Sequence, residues 1–210
     1  SAWPMLGQNS RRTYSISTPV IIEGPKSLVV LKEQKANFEV KFKGTEPLSY
    51  QWYKNDIAID GETNYRLQLD NVQEADEGRY SVKVQNIFGE NLSEKANLVV
   101  PESDTIILID DEYVKEESSG VDKVKIEIKS NIQGNEIFYT LDGSKPSFTS
   151  TPYATPFQLA ESATIRAIAY SFDFTESVEA EPVSFRILTT YSLNVSGTGG
   201  GTVTIDPPNG

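Results

Sequence analysis

The 210-residue chain is predicted to be all-β: two tandem β-sandwiches followed by a C-terminal hairpin. Three observations carry that expectation. Short alternating apolar and polar runs recur between turn-forming residues from Pro19 onward, as the strands of a sandwich do. Trp52 lies twelve residues after Val40, and Asp76-Glu77-Gly78-Arg79-Tyr80 leads into Val82 two residues past the tyrosine. A second alternating series begins after the turn-rich stretch Pro101 to Asp104.

In the first unit, residues 19–101, strands are expected at residues 20–23, 27–31, 36–43, 49–54, 64–70, 78–85 and 94–100. Phe38, Val40 and Phe42 point one way, while Asn37, Glu39, Lys41 and Lys43 point the other. That period of two marks a half-buried strand. Tyr50 and Trp52 share a face, opposite Gln51 and Tyr53. Gly44-Thr45-Glu46-Pro47, Lys54-Asn55-Asp56 and Asp60-Gly61 supply residues that favour turns.

The stretch Pro47-Leu48-Ser49-Tyr50-Gln51-Trp52-Tyr53-Lys54-Asn55, followed by the run from Asp76 to Tyr80, resembles the immunoglobulin-like domains without cysteine that are common in bacterial multidomain surface proteins. The resemblance is to an I-set-like domain. It implies that Val40 and Val82 stand where a disulfide would sit, that Trp52 is buried beside them, and that Tyr80 anchors a corner through its hydroxyl. Val40, Trp52, Tyr80 and Val82 are therefore expected to be structural core. Losing a native disulfide typically costs about 2–5 kcal/mol. Two valines fill the space and leave no polar group unpaired.

The second unit, residues 102–188, is expected to carry strands at 105–109, 121–129, 136–141, 164–170 and 183–188. Val124, Ile126 and Ile128 alternate with Lys123, Lys125, Glu127 and Lys129. Tyr139-Thr140-Leu141-Asp142-Gly143-Ser144, then Pro146, and later Thr164 to Tyr170, together resemble the C-terminal domain of chitobiase and β-hexosaminidase. That resemblance implies a fibronectin-like sandwich, a noncatalytic accessory module often appended to glycan-processing enzymes.

Residues 1–18 read as a linker or the tail of a preceding domain. The run Ala2-Trp3-Pro4-Met5-Leu6-Gly7-Gln8-Asn9 resembles a short tag at the closing edge of quinoprotein-type β-propellers. Residues 189–210, with Gly197-Thr198-Gly199-Gly200-Gly201 between two alternating runs, read as a truncated β-repeat hairpin. They resemble the opening of bacterial surface repeats. Both ends are expected to be cuts in a longer chain.

Composition narrows the chemistry. Lys and Arg number 19 against 30 Asp and Glu, a net charge of −11. Residues 102–188 hold 7 basic and 16 acidic side chains. No basic patch is present to displace phosphate counterions, so nucleic acid is not an expected partner. No apolar run is long enough to span a bilayer, so no membrane insertion is expected within this sequence. The sequence holds no cysteine and no histidine. Disulfides, thiolate nucleophiles and Cys-ligated metals are excluded, as are the usual general base and the commonest transition-metal ligand. No catalytic residue, cofactor or metal site is expected.

Four features remain as candidates. Asp110-Asp111-Glu112 with Glu116-Glu117 is either a solvated acidic loop or a weak calcium site lacking the EF-hand spacing. Asp142-Gly143 reads as a turn; as a catalytic carboxylate it would need a partner across a cleft. Gly197 to Gly201 lacks the Lys-Ser/Thr and helix of a phosphate-binding loop. Phe172 and Phe174, in a short loop, are costly to leave in water. They are expected to pack on their own core or a neighbouring domain, or else, with Tyr153, to form a ligand platform. The function expected is that of a noncatalytic spacer or interaction fragment of an exported, extracellular or cell-surface bacterial protein, with adhesion within its range. Its partners would be neighbouring domains of the same chain, and a glycan or a protein. The alternative is a carbohydrate-binding accessory module of a glycan-processing enzyme.

Overall fold

Strands form where the side-chain alternation is strongest, and two sandwiches result. The computed structural model describes residues 17–188. The expected propeller-type tag and the Gly-rich hairpin lie outside the described residues.

The first sandwich is built from β1 (Val20–Glu23), β2 (Leu28–Val29), β3 (Ala36–Glu39), β4 (Lys41–Lys43), β5 (Ser49–Lys54), β6 (Ile57–Ala58), β7 (Arg66–Leu69), β8 (Gly78–Asn86), β9 (Gly89–Leu92) and β10 (Ala96–Val99). One layer runs β2-β10-β8-β5-β6, with β9 also on β8; the other holds the pairs β1-β4 and β3-β7. A single strand was expected over residues 36–43. It divides at Val40, whose N–H donates to the Tyr65 carbonyl at 3.2 Å. The two halves then serve different partners, β3 pairing with β7 and β4 with β1.

The second sandwich follows with β11 (Thr105–Ile109), β12 (Glu112–Tyr113), β13 (Glu117–Gly120), β14 (Val124–Ser130), β15 (Glu136–Thr140), β16 (Thr151–Tyr153), β17 (Phe157–Leu159), β18 (Ala163–Tyr170), β19 (Ser177–Glu179) and β20 (Val183–Ile187). Its layers are β12-β11-β14-β17 and β13-β20-β18-β15-β16, with β19 on β18. The same plan is used twice. In each unit the closing strand is split into two pieces, β9/β10 or β19/β20, that share one long neighbour. A short early strand, β2 or β13, runs parallel to the second piece.

Trp52 is fully buried at the centre of the first core, with Val40, Phe38, Tyr80 and Val82 around it. Its indole N–H donates to the Asn64 carbonyl at 2.8 Å. Phe38 stacks on Tyr80 with ring centroids 4.8 Å apart. The Tyr80 hydroxyl donates to the Asp76 carbonyl at 2.7 Å, tying β8 back to the 3-10 turn Glu74–Asp76. A buried polar group in this setting is stabilising only when paired, and both of these are.

The second core is more aliphatic: Ile107, Ile126, Ile165, Ala167, Val183 and Phe185 form its centre. Between the two cores lies a third, smaller cluster. Leu31 of the first sandwich is buried against Ile106 and Leu108 of β11, with Val29 and Tyr113 packed around them. Every residue of β11 is buried. Ile107 and Ile109 face the second core, while Ile106 and Leu108 face the first sandwich. Burying a large aliphatic side chain is worth roughly 1.5–3 kcal/mol, so this seam holds the two units together.

Candidate functional site

The hairpin between β18 and β19 carries Phe172 and Phe174, and neither ring is taken into a core. Phe172 is 79% exposed and Phe174 52% exposed. Of the alternatives expected for them, packing on their own core is corrected. The reason is local: residues 171–176 form a tight turn closed by the Phe174 N–H donating to the Ser171 carbonyl at 2.9 Å. Phe174 has φ +57°, a left-handed conformation that bulky side chains rarely adopt. This geometry turns both rings away from the sheet interior.

Asp173, between the two rings, anchors the turn. Its Oδ1 accepts from the Ser171 hydroxyl at 2.7 Å, the Thr175 hydroxyl at 2.8 Å and the Thr175 N–H at 3.2 Å. These bonds hold its carboxyl below the usual range. Phe174 lies 5.7 Å from the Tyr170 ring, and Tyr170 meets Phe138 edge-on at 6.1 Å. Strand register explains the alignment: Glu136 sits opposite Tyr170, and Phe138 sits opposite Ile168. All four lie on the sheet face opposite Ile137 and Tyr139, which face the core; there Phe138 and Ile168 are themselves buried and Tyr170 is half-buried. An aromatic strip thus runs from Phe138 through Tyr170 and Phe174 to the hairpin tip. Beside it, Arg166 is held by Glu179 through Nε at 2.9 Å and Nη2 at 2.5 Å.

Tyr153 does not join this strip. Its ring packs against Tyr139 and Phe157 between the layers, and its hydroxyl accepts the Ile128 N–H at 3.1 Å. Desolvation raises its pKa. The hydroxyl bridges β16 of one layer to β14 of the other, a closing role for the sandwich edge. The three aromatics considered as a single platform are thus two rings in one hairpin and a third inside the fold.

Asp110, Asp111 and Asp142 are accounted for by their neighbours. Asp110 and Asp111, at φ +50° and +70°, make the turn between β11 and β12. Asp110 Oδ1 accepts the Lys125 N–H at 2.8 Å, and Asp111 pairs with the Lys125 ammonium, which lowers its pKa. Asp142 Oδ1 accepts from the Ser144 hydroxyl and N–H, at 2.5 and 3.0 Å. The next residue, Gly143, has φ +77° and packs closely on Thr164. Asp142 also lines a shallow cavity of about 730 Å³ with Glu117, Ser184, Arg186 and Leu188. Among the described residues no group of three or more Asp, Glu, His or Cys could hold a metal ion. No helix there is long and apolar enough to cross a membrane.

The other built feature is the seam between the sandwiches. The Asn131 amide donates to the Lys32 carbonyl at 2.7 Å, and its Oδ1 accepts from Gln34 Nε2 at 2.9 Å. The Asn131 N–H donates to the Asp104 carbonyl at 2.8 Å. One residue, through its side chain and its main-chain N–H, therefore ties the turn of the first sandwich and the connection to the second. This clamp was missed in the sequence; the unbroken apolar run Thr105-Ile106-Ile107-Leu108-Ile109 is the signal that points to a strand covered on both faces.

These features define a tandem pair of immunoglobulin-like sandwiches with an apolar seam. Residues 19–100 match the family model of the immunoglobulin I-set domain, and residues 126–182 match that of the Fn3-associated domain. No curated protein matches the sequence. Solved structures similar to the chain include a chimeric titin Z1Z2 functionalised with a KLER peptide from decorin, 27% identical over 40% of this chain and 95% of that one, with a TM-score of 0.36. Titin Z1Z2 in complex with telethonin is 18% identical over 84% of this chain and 100% of that one, with a TM-score of 0.38. An I-band fragment of titin is 15% identical over 82% and 66%, with a TM-score of 0.41.

Proposed function

We propose that this chain is a noncatalytic spacer and interaction segment of a large exported or cell-surface bacterial protein. The observation that carries the reading is the seam of Leu31, Ile106 and Leu108 with the Asn131 clamp. A loose pair of beads would need only the linker; a seam fixes the direction in which one unit projects the other. Such a segment holds an adjoining enzyme or adhesive domain at a set distance and angle from its anchor. The resemblance of the second unit to the chitobiase C-terminal domain and of residues 189–210 to surface repeats supports an exported setting. Net charge far from zero keeps an extended chain soluble.

The test has two parts. Small-angle scattering of the 210-residue chain is expected to give an elongated particle with one narrow distribution of interdomain distances. Protease treatment of intact host cells is expected to remove the full-length protein. A broad distance distribution, or complete protection inside the cytoplasm, overturns the reading. Turnover of chromogenic glycosides that one Asp or Glu substitution abolishes would overturn its noncatalytic part.

A further inference from the structure

We infer that the exposed rings of Phe172 and Phe174 on the second sandwich, backed by the half-buried Tyr170, dock a cationic polypeptide segment presenting Lys or Arg side chains. The inference goes beyond the spacer reading, which needs no such surface.

Two exposed phenyl rings on one hairpin present apolar area that water hydrates poorly. The structure leaves them uncovered by either sandwich. Phe174 also occupies a backbone conformation suited to Gly or Asn. What surrounds the rings sets the chemistry of the occupant. Glu136 stands opposite Tyr170, Asp173 lies between the phenylalanines, and Glu176 follows in the same turn. Among the described residues neither Glu136 nor Glu176 has an ion-pair partner. The hairpin, residues 171–176, and the neighbouring loop, residues 131–135, contain no Lys or Arg. On the same strand as Tyr170, Arg166 is engaged by Glu179.

Aromatic faces flanked by carboxylates and free of cations are complementary to guanidinium and ammonium groups, which bind ring faces and pair with acids. A neutral sugar would gain the rings but leave the carboxylates uncompensated. An anionic glycan or nucleic acid would be repelled. The surrounding unit, with 7 basic and 16 acidic residues, extends the same field and speeds encounter with a basic partner.

The experiment is calorimetric titration of the full 210-residue chain at low salt. The probes are a short synthetic peptide alternating Arg and Gly, and two neutral hexasaccharides, of glucose and of N-acetylglucosamine. Phe172→Ala/Phe174→Asn keeps every charge, so attraction to the acidic chain as a whole survives in it. The peptide is expected to bind the unaltered chain and the Ile57→Ala control alike. Affinity is expected to fall about ten-fold in Phe172→Ala/Phe174→Asn and about three-fold in Glu136→Gln/Glu176→Gln. Circular dichroism checks that each variant folds. The inference is overturned by equal peptide affinity in the phenylalanine variant, by no peptide binding at all, or by tighter binding of a neutral hexasaccharide that the same variant loses.

Discussion

The side-chain amide of Asn131 donates to the main-chain carbonyl of Lys32 across the seam, at 2.7 Å. Because the same side chain accepts from Gln34 and its N–H serves Asp104, one residue fixes three segments. Asn131→Ala leaves Gln34 and the Lys32 carbonyl to water, a cost of about 0.5–1.5 kcal/mol. Leu108→Ala opens the apolar side of the same seam at about 2–5 kcal/mol. The chain has no cysteine, so spin labels introduced at Thr63→Cys and Thr149→Cys report the interdomain distance alone. Both substitutions are expected to broaden that distance distribution. An unchanged width would show that the seam does not set the geometry.

Trp52 contributes both volume and a hydrogen bond. Trp52→Ala is expected to destabilise the first sandwich by about 3–5 kcal/mol. Trp52→Phe keeps most of the apolar body but orphans the Asn64 carbonyl, and is expected to cost about 1–3 kcal/mol. Denaturant midpoints of the two variants check the order. A Trp52→Phe variant as stable as the unaltered chain would mean that the indole N–H bond adds nothing.

Val40 and Val82 occupy, by resemblance, the places of a sandwich disulfide, and both are buried. Val40→Cys/Val82→Cys is expected to oxidise and to gain about 4 kcal/mol, from loop-closure entropy over the residues between them. Mass spectrometry and melting with and without reductant measure this. A pair that stays reduced in air would place the two positions outside disulfide range.

Burial, with Asp76 nearby, pushes the Tyr80 phenol up to about 12. An unfolded tyrosine ionises near 10. Between these values the unfolded chain has released a proton that the folded chain keeps. The stability linked to Tyr80 is therefore complete below about pH 10 and is lost as pH rises toward about 12. Tyr80→Phe is expected to remove that alkaline slope and, by deleting the bond to Asp76, to cost about 1 kcal/mol at neutral pH. Urea midpoints at a neutral and an alkaline pH test both parts.

Phe174 holds φ +57° at a cost of about 1–2 kcal/mol. Asn tolerates that conformation, and the ring it removes is half exposed. Phe174→Asn is expected to be neutral or to stabilise the chain by up to about 1 kcal/mol, read as a rise in melting temperature. A clear loss of stability would mean that the contact with Tyr170 outweighs the backbone strain.

Several strands were legible as alternating or wholly apolar runs bounded by turn-forming residues. Val20–Glu23, Ser49–Lys54 and Thr105–Ile109 have the bounds expected of them. The short edge strands, such as Ile57–Ala58, Gly89–Leu92 and Thr151–Tyr153, were not. They carry neither a sustained apolar run nor a full alternation, and their pairing is decided by the long neighbour. Trp52 could be placed from its spacing, but its Asn64 partner could not, because a carbonyl acceptor leaves no mark in a side-chain sequence. Phe172 and Phe174 drew attention as aromatics in a polar loop. Their exposure depends on turn geometry that the residue types argue against. Tyr153 looked equivalent to them, and only the approach of Ile128 from the other layer separates its role.

A strand that belongs to two cores at once limits how this molecule can be rearranged. Shuffling the second unit into another protein would bare Ile106 and Leu108 to solvent, leaving a sticky wound unless the new neighbour offers a leucine in the place of Leu31. The two units therefore transplant best together, as a single cassette.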